Sequence, residues 1–485
     1  MKKAQKIACF CYCLLFFCLC ALPGAGLLMD KEDSTAENRT LAAFPALTDE
    51  EGRFNQAWST QFQSYVSDHF GFRSQMVMAD SRLKADLLHT SAEEDVIIGA
   101  DGWLYYTPTV NDFIGNPTVS DIGIQNICRN LELMQTYAES KGSHLLVAVI
   151  PNKNTVYPEY MPYFYRQSGV DNNLTRLTQA LETAEIPYCD MASALCQAAQ
   201  DTDTQLYHKQ DSHWNASGAL LGCNALLDAA GIAHEDHAER TWHEEAIWEG
   251  DLQRMLFPDS DELDIQHVYD IAFSYTYLGR YKDADDMNID TMNPAGTGTL
   301  LMFRDSFGEA IIPYLSEHFA SAKYSRARPY PMHHLENQPY DLVIAEIVER
   351  NISWLQKEAP LHHALKAEHV PAAADTCEGT LQVINDGTRY LHLFGTMDCP
   401  DDAAHAPHYY VTLTDASGQS ATYLAYSCYE ADLLGDDEVK DNGFSLWLDS
   451  TAISTEGEYT VTVTADVGNT VLKFETSRIS LAAAS

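Results

Sequence analysis

A serine at the end of a short apolar run is the residue in this chain best placed to make and break bonds. Leu300-Leu301-Met302-Phe303 runs into Arg304-Asp305-Ser306-Phe307-Gly308, after which Ile311, Ile312, Tyr314, Leu315 and Phe319 recur at helical spacing. The pattern predicts a buried strand, a turn and a helix, with Ser306 at the carboxyl edge of an α/β sheet, where ligands bind. The N–H groups at the start of a helix would face an oxyanion there. The plainer alternative is that Asp305 or Ser306 only caps the helix. A second stretch, Tyr207-His208-Lys209-Gln210-Asp211-Ser212-His213-Trp214-Asn215, precedes another helical run through Leu220, Leu221, Ala225, Leu226 and Leu227. If that stretch is extended, Asp211 and His213 project to one side. The carboxylate would then fix the imidazole tautomer while the other ring nitrogen faces a serine. Ser306 is thus the candidate nucleophile, His213 the general base and Asp211 the orienting carboxylate. With His213 as base, activity is expected to rise with pH through a pKa of about 6 to 7.

The elements that must position these residues alternate as in α/β proteins. Ile124, Ile127, Leu131, Leu133 and Met134 predict a helix, and Leu145 to Ile150 a fully buried strand, with Pro151-Asn152-Lys153 at its carboxyl end. Leu174, Leu177 and Leu181 mark a further helix, and Ile186 to Cys189 a short strand. Ala238 to Thr297 reads as an irregular, tyrosine-rich insertion; strands near Ala322 to Tyr324 and Leu342 to Ile347 follow. The alternation argues for a largely parallel sheet with helices on both faces. Upstream, Asp101-Gly102 is a turn between Val96-Ile97-Ile98 and Trp103-Leu104-Tyr105, a predicted hairpin. Trp58, Phe62, Tyr65 and Phe70 suggest an amphipathic helix. After Pro360 the rhythm changes to period two, at Tyr390–Phe394, Tyr409–Thr414, Phe444–Leu448 and Tyr459–Thr464, which predicts a C-terminal antiparallel β-sandwich over 372–485.

Two motifs in this order are recognisable. Asp211-Ser212-His213-Trp214-Asn215 followed by Arg304-Asp305-Ser306-Phe307-Gly308 resembles the alginate O-acetyltransferase group, AlgJ and AlgX, of the SGNH hydrolase superfamily. It is also similar to their Gram-positive relatives, the DHHW proteins. Ordinary SGNH enzymes carry the serine motif first; here the order is permuted, as in that group. Further matching stretches are Glu37-Asn38-Arg39 with Phe44-Pro45, Asp68 to Arg73, Val96 to Tyr105, Pro151-Asn152-Lys153 with Tyr157 to Tyr160, Gly250-Asp251-Leu252, and Glu346 to Asn351. The resemblance covers roughly residues 37 to 358 and implies an SGNH-hydrolase-like (flavodoxin-like) catalytic domain over 30–361. It implies an acetyl group carried on Ser306 and passed to a sugar hydroxyl of a cell-envelope polysaccharide or exopolysaccharide. A membrane-bound O-acyltransferase would supply the acetyl donor, and no cofactor or metal is called for. The Ser306 N–H and a side-chain donor would hold the oxyanion. Asn152 is the candidate for that donor by its strand-end position, with Lys153 and Arg304 behind it. Arg304 stands where ordinary SGNH enzymes have Gly, so their oxyanion geometry does not transfer. Trp103, Tyr157 and Trp214 are candidates for stacking on sugar, against an ordinary core role.

The same triad also serves a carbohydrate acetyl esterase, with water as acceptor, and a vestigial triad would fit a non-catalytic glycan-binding envelope protein. Composition narrows the partners. A formal charge of −40 over 485 residues opposes unassisted encounter with nucleic acid or another polyanion and leaves a neutral or cationic glycan compatible. Lys2, Lys3 and Lys6 precede an apolar run to about Met29, so residues 1–29 read as a signal peptide or signal anchor, placing the rest at the cell surface or outside, tethered if uncleaved. Seven cysteines lie beyond that leader without Cys-x-x-Cys spacing, which argues against zinc; one bridge among Cys377, Cys399 and Cys428 is expected.

Overall fold

The structure, a computed structural model, describes residues 3–26, 42–48, 52–69, 73–202, 204–236, 240–258, 260–283, 285–385, 387–399, 405–451, 453, 457–475 and 479–481. The matching stretches at Glu37-Asn38-Arg39 and Phe70-Gly71-Phe72, and the last residues of the apolar leader, lie outside these. Seven strands make the central sheet: β1 (His144–Ile150), β2 (Tyr188–Cys189), β3 (Thr276–Leu278), β4 (Asn288–Met292), β5 (Thr299–Phe303), β6 (Ser321–Ser325) and β7 (Leu342–Val348). Their order is β2-β1-β7-β5-β6-β4-β3. The first five are parallel, and β4 and β3 add antiparallel at one edge.

Period-two burial sends alternate side chains of the central strands into two separate cores. Leu146, Ala148, Ile150, Leu300, Met302 and Ile344 enter one; Leu145, Val147, Val149, Leu301, Phe303 and Val343 enter the other. Helix α1 (Asp121–Ser140), whose N-cap Ser120 accepts from the Gly123 N–H, and α2 (Asn173–Thr183) cover the second face. Helices α3 (Met191–Asp201), α4 (Ala216–Ala229) and α5 (Ile312–His318) cover the first. This is the SGNH-hydrolase-like α/β arrangement with helices on both faces. The four residues of β5 from Leu300 to Phe303 are fully buried, each stabilising the fold by roughly 1.5–3 kcal/mol.

The 238–297 insertion is more regular than its composition suggests. It supplies β3 and β4, an antiparallel pair (Trp242–Trp248 with Asp264–Tyr269) and a short helix, Asp251–Leu256. Its strands escape the eye because only alternate residues are buried: Ile289 and Thr291 turn inward while Asn288 and Met292 face out.

The chain after 372 forms two further sheets. Gly379–Ile384, Tyr390–Met397 and Gly443–Asp449 make the smaller one, and the larger is built on Gly457–Asp466 between His408–Asp415 and Val471–Glu475. Cys377, Cys399 and Cys428 are all free thiols here, so the expected bridge is not formed. The leader forms a helix, Lys3–Gly26. No helix among the described residues is long and apolar enough to cross a membrane, which leaves the expected membrane anchor unsupported.

Candidate active site

Ser306 follows β5 by three residues and opens a 3-10 turn, Phe307–Ile311, that leads into α5. The capping role falls to Asp305. Its Oδ1 accepts from the Phe307 N–H at 2.9 Å, and its Oδ2 accepts from the Val348 N–H at 2.9 Å and from Asn351 Nδ2 at 3.3 Å. Its own N–H donates to buried Glu346 at 2.9 Å, a carboxyl that burial holds well above the usual range. Asp305 therefore ties the serine turn to the end of the neighbouring strand β7. The Ser306 side chain makes no capping bond and is left for His213, whose Nε2 lies 2.9 Å from Ser306 Oγ.

Asp211 and His213 do come side by side, but not by strand alternation. Residues 209–213 are a bend closed by a Tyr207–Trp214 bridge, and Asp211 Oδ1 accepts both the His213 N–H (2.8 Å) and His213 Nδ1–H (2.7 Å). The turn and the tautomer are fixed by one oxygen. The other oxygen accepts from Trp248 Nε1–H (2.9 Å) and the Asp251 N–H (3.0 Å). Burial disfavours the Asp211 charge, yet these donors and His213 outweigh it and hold its carboxyl well below the usual range. For His213 burial likewise opposes charging, but Asp211 and then Asp251 win and raise its pKa above the ordinary value. Nδ1 thus carries the proton given to Asp211, and Nε2 is free to take one from Ser306. Asn215 caps α4, accepting from the Gly218 N–H at 3.1 Å, and sets where the bend ends.

Asp251 closes the bend from the far side. Its carboxylate accepts from the Ser212 N–H (2.7 Å) and Oγ–H (2.5 Å) and lies 3.6 Å from His213 Nδ1. Burial first, and then the charge of Asp211, raise its pKa. Asp211, His213 and Asp251 bring potential metal-ligating atoms within 4.8 Å of one another, but these atoms are committed to the hydrogen bonds just described.

Of the other predicted site residues, Lys153 is not at the serine. Its Nζ donates to the carbonyls of His208 (3.0 Å), Lys209 (3.0 Å) and Asp211 (2.6 Å), pinning the backbone of the His213 bend from beneath. Burial pushes its pKa down to about 7 against the pull of Asp211, Asp251 and Asp264. Asn152 does stand at the end of β1, but β7 lies between β1 and β5, so it is two strands from Ser306, roughly 10 Å. Its N–H donates to Glu349 at 2.7 Å, and it lines neither cleft at the serine. Arg304 does reach a cleft wall, donating to the carbonyls of Asp305 (3.2 Å) and Asp286 (3.1 Å). Tyr157, whose hydroxyl accepts the Leu206 N–H, and Trp103, which stacks on Tyr160, are core. Trp214 is buried too and donates to the Phe307 carbonyl at 3.0 Å, but it reaches the wall of the cleft that holds His213 and Ser306.

Ser306 lies where two clefts meet. One, of about 750 Å³, is walled by Arg254, Arg304, Arg326, Arg328 and Arg350 with Tyr106 and Trp354. The other, of about 620 Å³, also holds His213 and is walled by Trp248, Tyr277, Tyr281 and Tyr314. Trp248, Tyr277 and Tyr281 come from the insertion, where tyrosine enrichment was the only signal. Asp251 and Arg350 lie in motif-matching stretches, but nothing in their spacing assigns them a partner.

Residues 96–294 match the family described as SGNH hydrolase-like domain, acetyltransferase AlgX, so the chain carries a domain of that type. Two curated relatives, both named probable alginate O-acetylase AlgJ, come from Pseudomonas syringae pv. tomato (26% identical over 175 residues) and Pseudomonas fluorescens (24% over 176 residues). Each alignment covers 36% of this chain and 42% of the relative, so the chain spans less than half the length of the curated relatives it matches. Similar solved structures include a DHHW family protein from Eubacterium siraeum, 13% identical with a TM-score of 0.41, covering 53% of this chain and 91% of that one. The O-acetyltransferase domain of Pseudomonas putida AlgJ is 19% identical with a TM-score of 0.36, covering 53% and 92%. Pseudomonas aeruginosa AlgX is 13% identical with a TM-score of 0.35, covering 73% and 86%.

Proposed function

We propose that this chain is an exported SGNH-type serine O-acetyltransferase that moves an acetyl group through a Ser306 acyl-enzyme to a hydroxyl of a cell-envelope polysaccharide or exopolysaccharide. The observation that carries the reading is the continuous relay from Asp211 through His213 to Ser306, opening on clefts. Asp211 and His213 lie within the stretch 96–294 that matches the SGNH hydrolase-like domain, acetyltransferase AlgX, and Ser306 lies just beyond it. In the first half-reaction Ser306 Oγ attacks the donor's acetyl carbonyl as its proton passes to His213 Nε2. The donor C–O bond then breaks, and the leaving oxygen takes that proton. In the second half-reaction a sugar hydroxyl gives its proton to His213 and attacks the acyl-enzyme, and Ser306 recovers the proton as its ester bond breaks. No step needs a cofactor. The donor ester is assigned to a membrane-bound O-acyltransferase partner.

The aromatic wall of the second cleft favours a sugar acceptor, since aromatic faces pack on the C–H faces of pyranose rings, and its volume suits one or a few sugar residues. The test combines a small acetyl ester with an organophosphonate probe. Ser306-dependent labelling and release of acetate, with acetyl recovered on an added oligosaccharide, support transfer. Acetate release with no acetylated sugar identifies an esterase. Ester turnover that survives Ser306→Ala in a folded protein rules out the serine mechanism, and a wild-type protein with no turnover and a Ser306 inert to the probe leaves the glycan-binding reading in its place.

A further inference from the structure

A tetrahedral intermediate on Ser306 needs donors for its oxyanion, and the Ser306 backbone N–H supplies one. It finds no acceptor among the hydrogen bonds of the described residues. β6 and β7 flank β5, and the arginines after β6, Arg326 and Arg328, are paired with Asp285 and Glu358, which directs attention to the residues after β7. Arg350 is there. Its guanidinium stands 5.0 Å from the Phe307 ring and 5.6 Å from the Tyr106 ring, on the wall of the cleft that holds Ser306. The Phe307 ring in turn packs 4.5 Å from His213. Arg350 has no hydrogen-bond acceptor or salt-bridge partner among the described residues. The acids nearest to it in sequence and across the strand are already engaged. Glu349 accepts from the Asn152 N–H, Thr155 Oγ1–H and Asn172 Nδ2–H, and Asp305 from the Phe307 and Val348 N–H groups and Asn351. In a chain of charge −40, a half-buried guanidinium that among the described residues contacts two ring faces and no acid is poised for an incoming anion.

We propose that Arg350 and the Ser306 backbone N–H form the oxyanion site. The guanidinium binds the oxygen that becomes negative when the Ser306 Oγ–carbon bond forms and the carbonyl π bond opens. It releases that oxygen when the C=O re-forms and the leaving C–O bond breaks, with the proton delivered from His213. The assignment rests on the serine acyl-enzyme reading above. It replaces Asn152 and Lys153 as side-chain donors.

The experiment measures hydrolysis of a small uncharged acetyl ester by the full chain and by its Arg350→Met and Arg350→Lys variants, with folding checked by thermal melting. Because the charge develops only in the transition state, Arg350→Met should lower kcat on the order of a hundredfold to a thousandfold with KM little changed. Arg350→Lys should recover part of the loss. The pH profile gives a readout that a structural role would not move. His213 is faced by Asp211, Asp251 and Glu309 as well as by Arg350, and of these only the guanidinium resists its protonation. Arg350→Met should therefore shift the acid limb to higher pH. A folded Arg350→Met variant with unchanged kcat on the neutral ester overturns the oxyanion role, and a raised requirement for sugar acceptor alone would make Arg350 an acceptor anchor instead. Wild-type turnover that Ser306→Ala does not abolish sinks the underlying serine reading, a result distinct from either.

Discussion

Asp211 uses both carboxylate oxygens, four donors in all, so substitutions around it should differ in kind. Ser306→Ala and His213→Ala remove reacting groups and should each lower the ester rate about a thousandfold or more, without multiplying in the double variant. Asp211→Asn should be comparably severe, because an amide turns a donor toward one set of N–H groups. Since the folded pKa of His213 is raised, its neutral, basic form is populated only above that raised value. The activity should therefore rise with pH at a midpoint above the ordinary histidine range, higher than composition alone suggests. A pH–rate profile checks this. Lys153→Met probes the support instead of the chemistry. Below about pH 7, where the ammonium is charged and makes all three bonds, three carbonyls lose their donor, costing roughly 1–3 kcal/mol. Between about 7 and the ordinary lysine range the unfolded chain holds a proton that folded Lys153 has lost, so stability rises with pH, and the variant should show a flatter slope in denaturant titrations. The three residues of the relay were legible because their types and spacings are rare outside such sites. Lys153 was legible only as a strand-end cation, because its partners are backbone carbonyls that carry no sequence signature.

At the scale of elements, the α/β rhythm was readable at the wholly buried strands and along most of the sheet, and it failed in the insertion, where β3 and β4 are only half-buried. The insertion holds β3, β4 and the aromatic wall of the second cleft. Gly250 lets its chain approach the His213 bend: a Cβ there would meet the Gln210 carbonyl at 2.3 Å, so larger residues would push Asp251 away from Ser212. Tyr277 and Tyr281 stack at 3.8 Å with planes 4° apart, and Tyr281 is 37% exposed. If this pair seats the acceptor, Tyr281→Ala should reduce transfer to an oligosaccharide about tenfold or more, the loss of a stacking contact of ~1–2 kcal/mol, and leave hydrolysis of a small ester intact. Equal loss in both assays would show that the wall shapes the triad instead. In the smaller C-terminal sheet, Gly379 pairs with Met397, and the Asp398 N–H donates to the Glu378 carbonyl. Cys377 and Cys399 lie just past the end of that pairing, close enough that the Cys377 thiol adds to the raised pKa that burial gives Cys399, which places the two thiols as a candidate disulfide pair. Oxidised glutathione should link this pair, and not Cys428, which is buried against Asn130. The link should raise stability by about 3 kcal/mol; peptide mapping under non-reducing conditions reads it directly.

At the scale of the whole molecule, net charge proves a poor guide to the site. The chain carries 70 acidic against 30 basic residues, yet five of its sixteen arginines gather on one cleft wall, so the local field at Ser306 is not that of the chain as a whole. Periodicity changes sharply after Pro360, but periodicity reports elements, not what they pack against. Tyr426 and Cys428 of the sandwich are buried in the same core as Leu131, Met134 and Phe303, and Leu424 and Trp447 pack against that core. Polar contacts bind the two parts further. Asn130 Oδ1 accepts from the Ser427 N–H (2.8 Å) and its Nδ2 donates to the Ser427 carbonyl (3.2 Å), Trp447 Nε1 donates to the Ala359 carbonyl (3.0 Å), and the Tyr429 N–H donates to the Gln356 carbonyl (2.8 Å). These groups are buried, so separation would strip apolar surface and leave several of them unpaired. The full chain should therefore melt in one cooperative transition by both calorimetry and loss of ester turnover. Asn130→Ala, which touches neither cleft, should lower that single transition by about 1–3 kcal/mol with kcat unchanged below it. Removing 372–485 should leave the catalytic part aggregated or molten, because α1 and the second face of the sheet lose their cover. Two resolved transitions, with the catalytic one unmoved by Asn130→Ala or by the truncation, would show that the shared core contributes nothing and that the sandwich is a passive appendage.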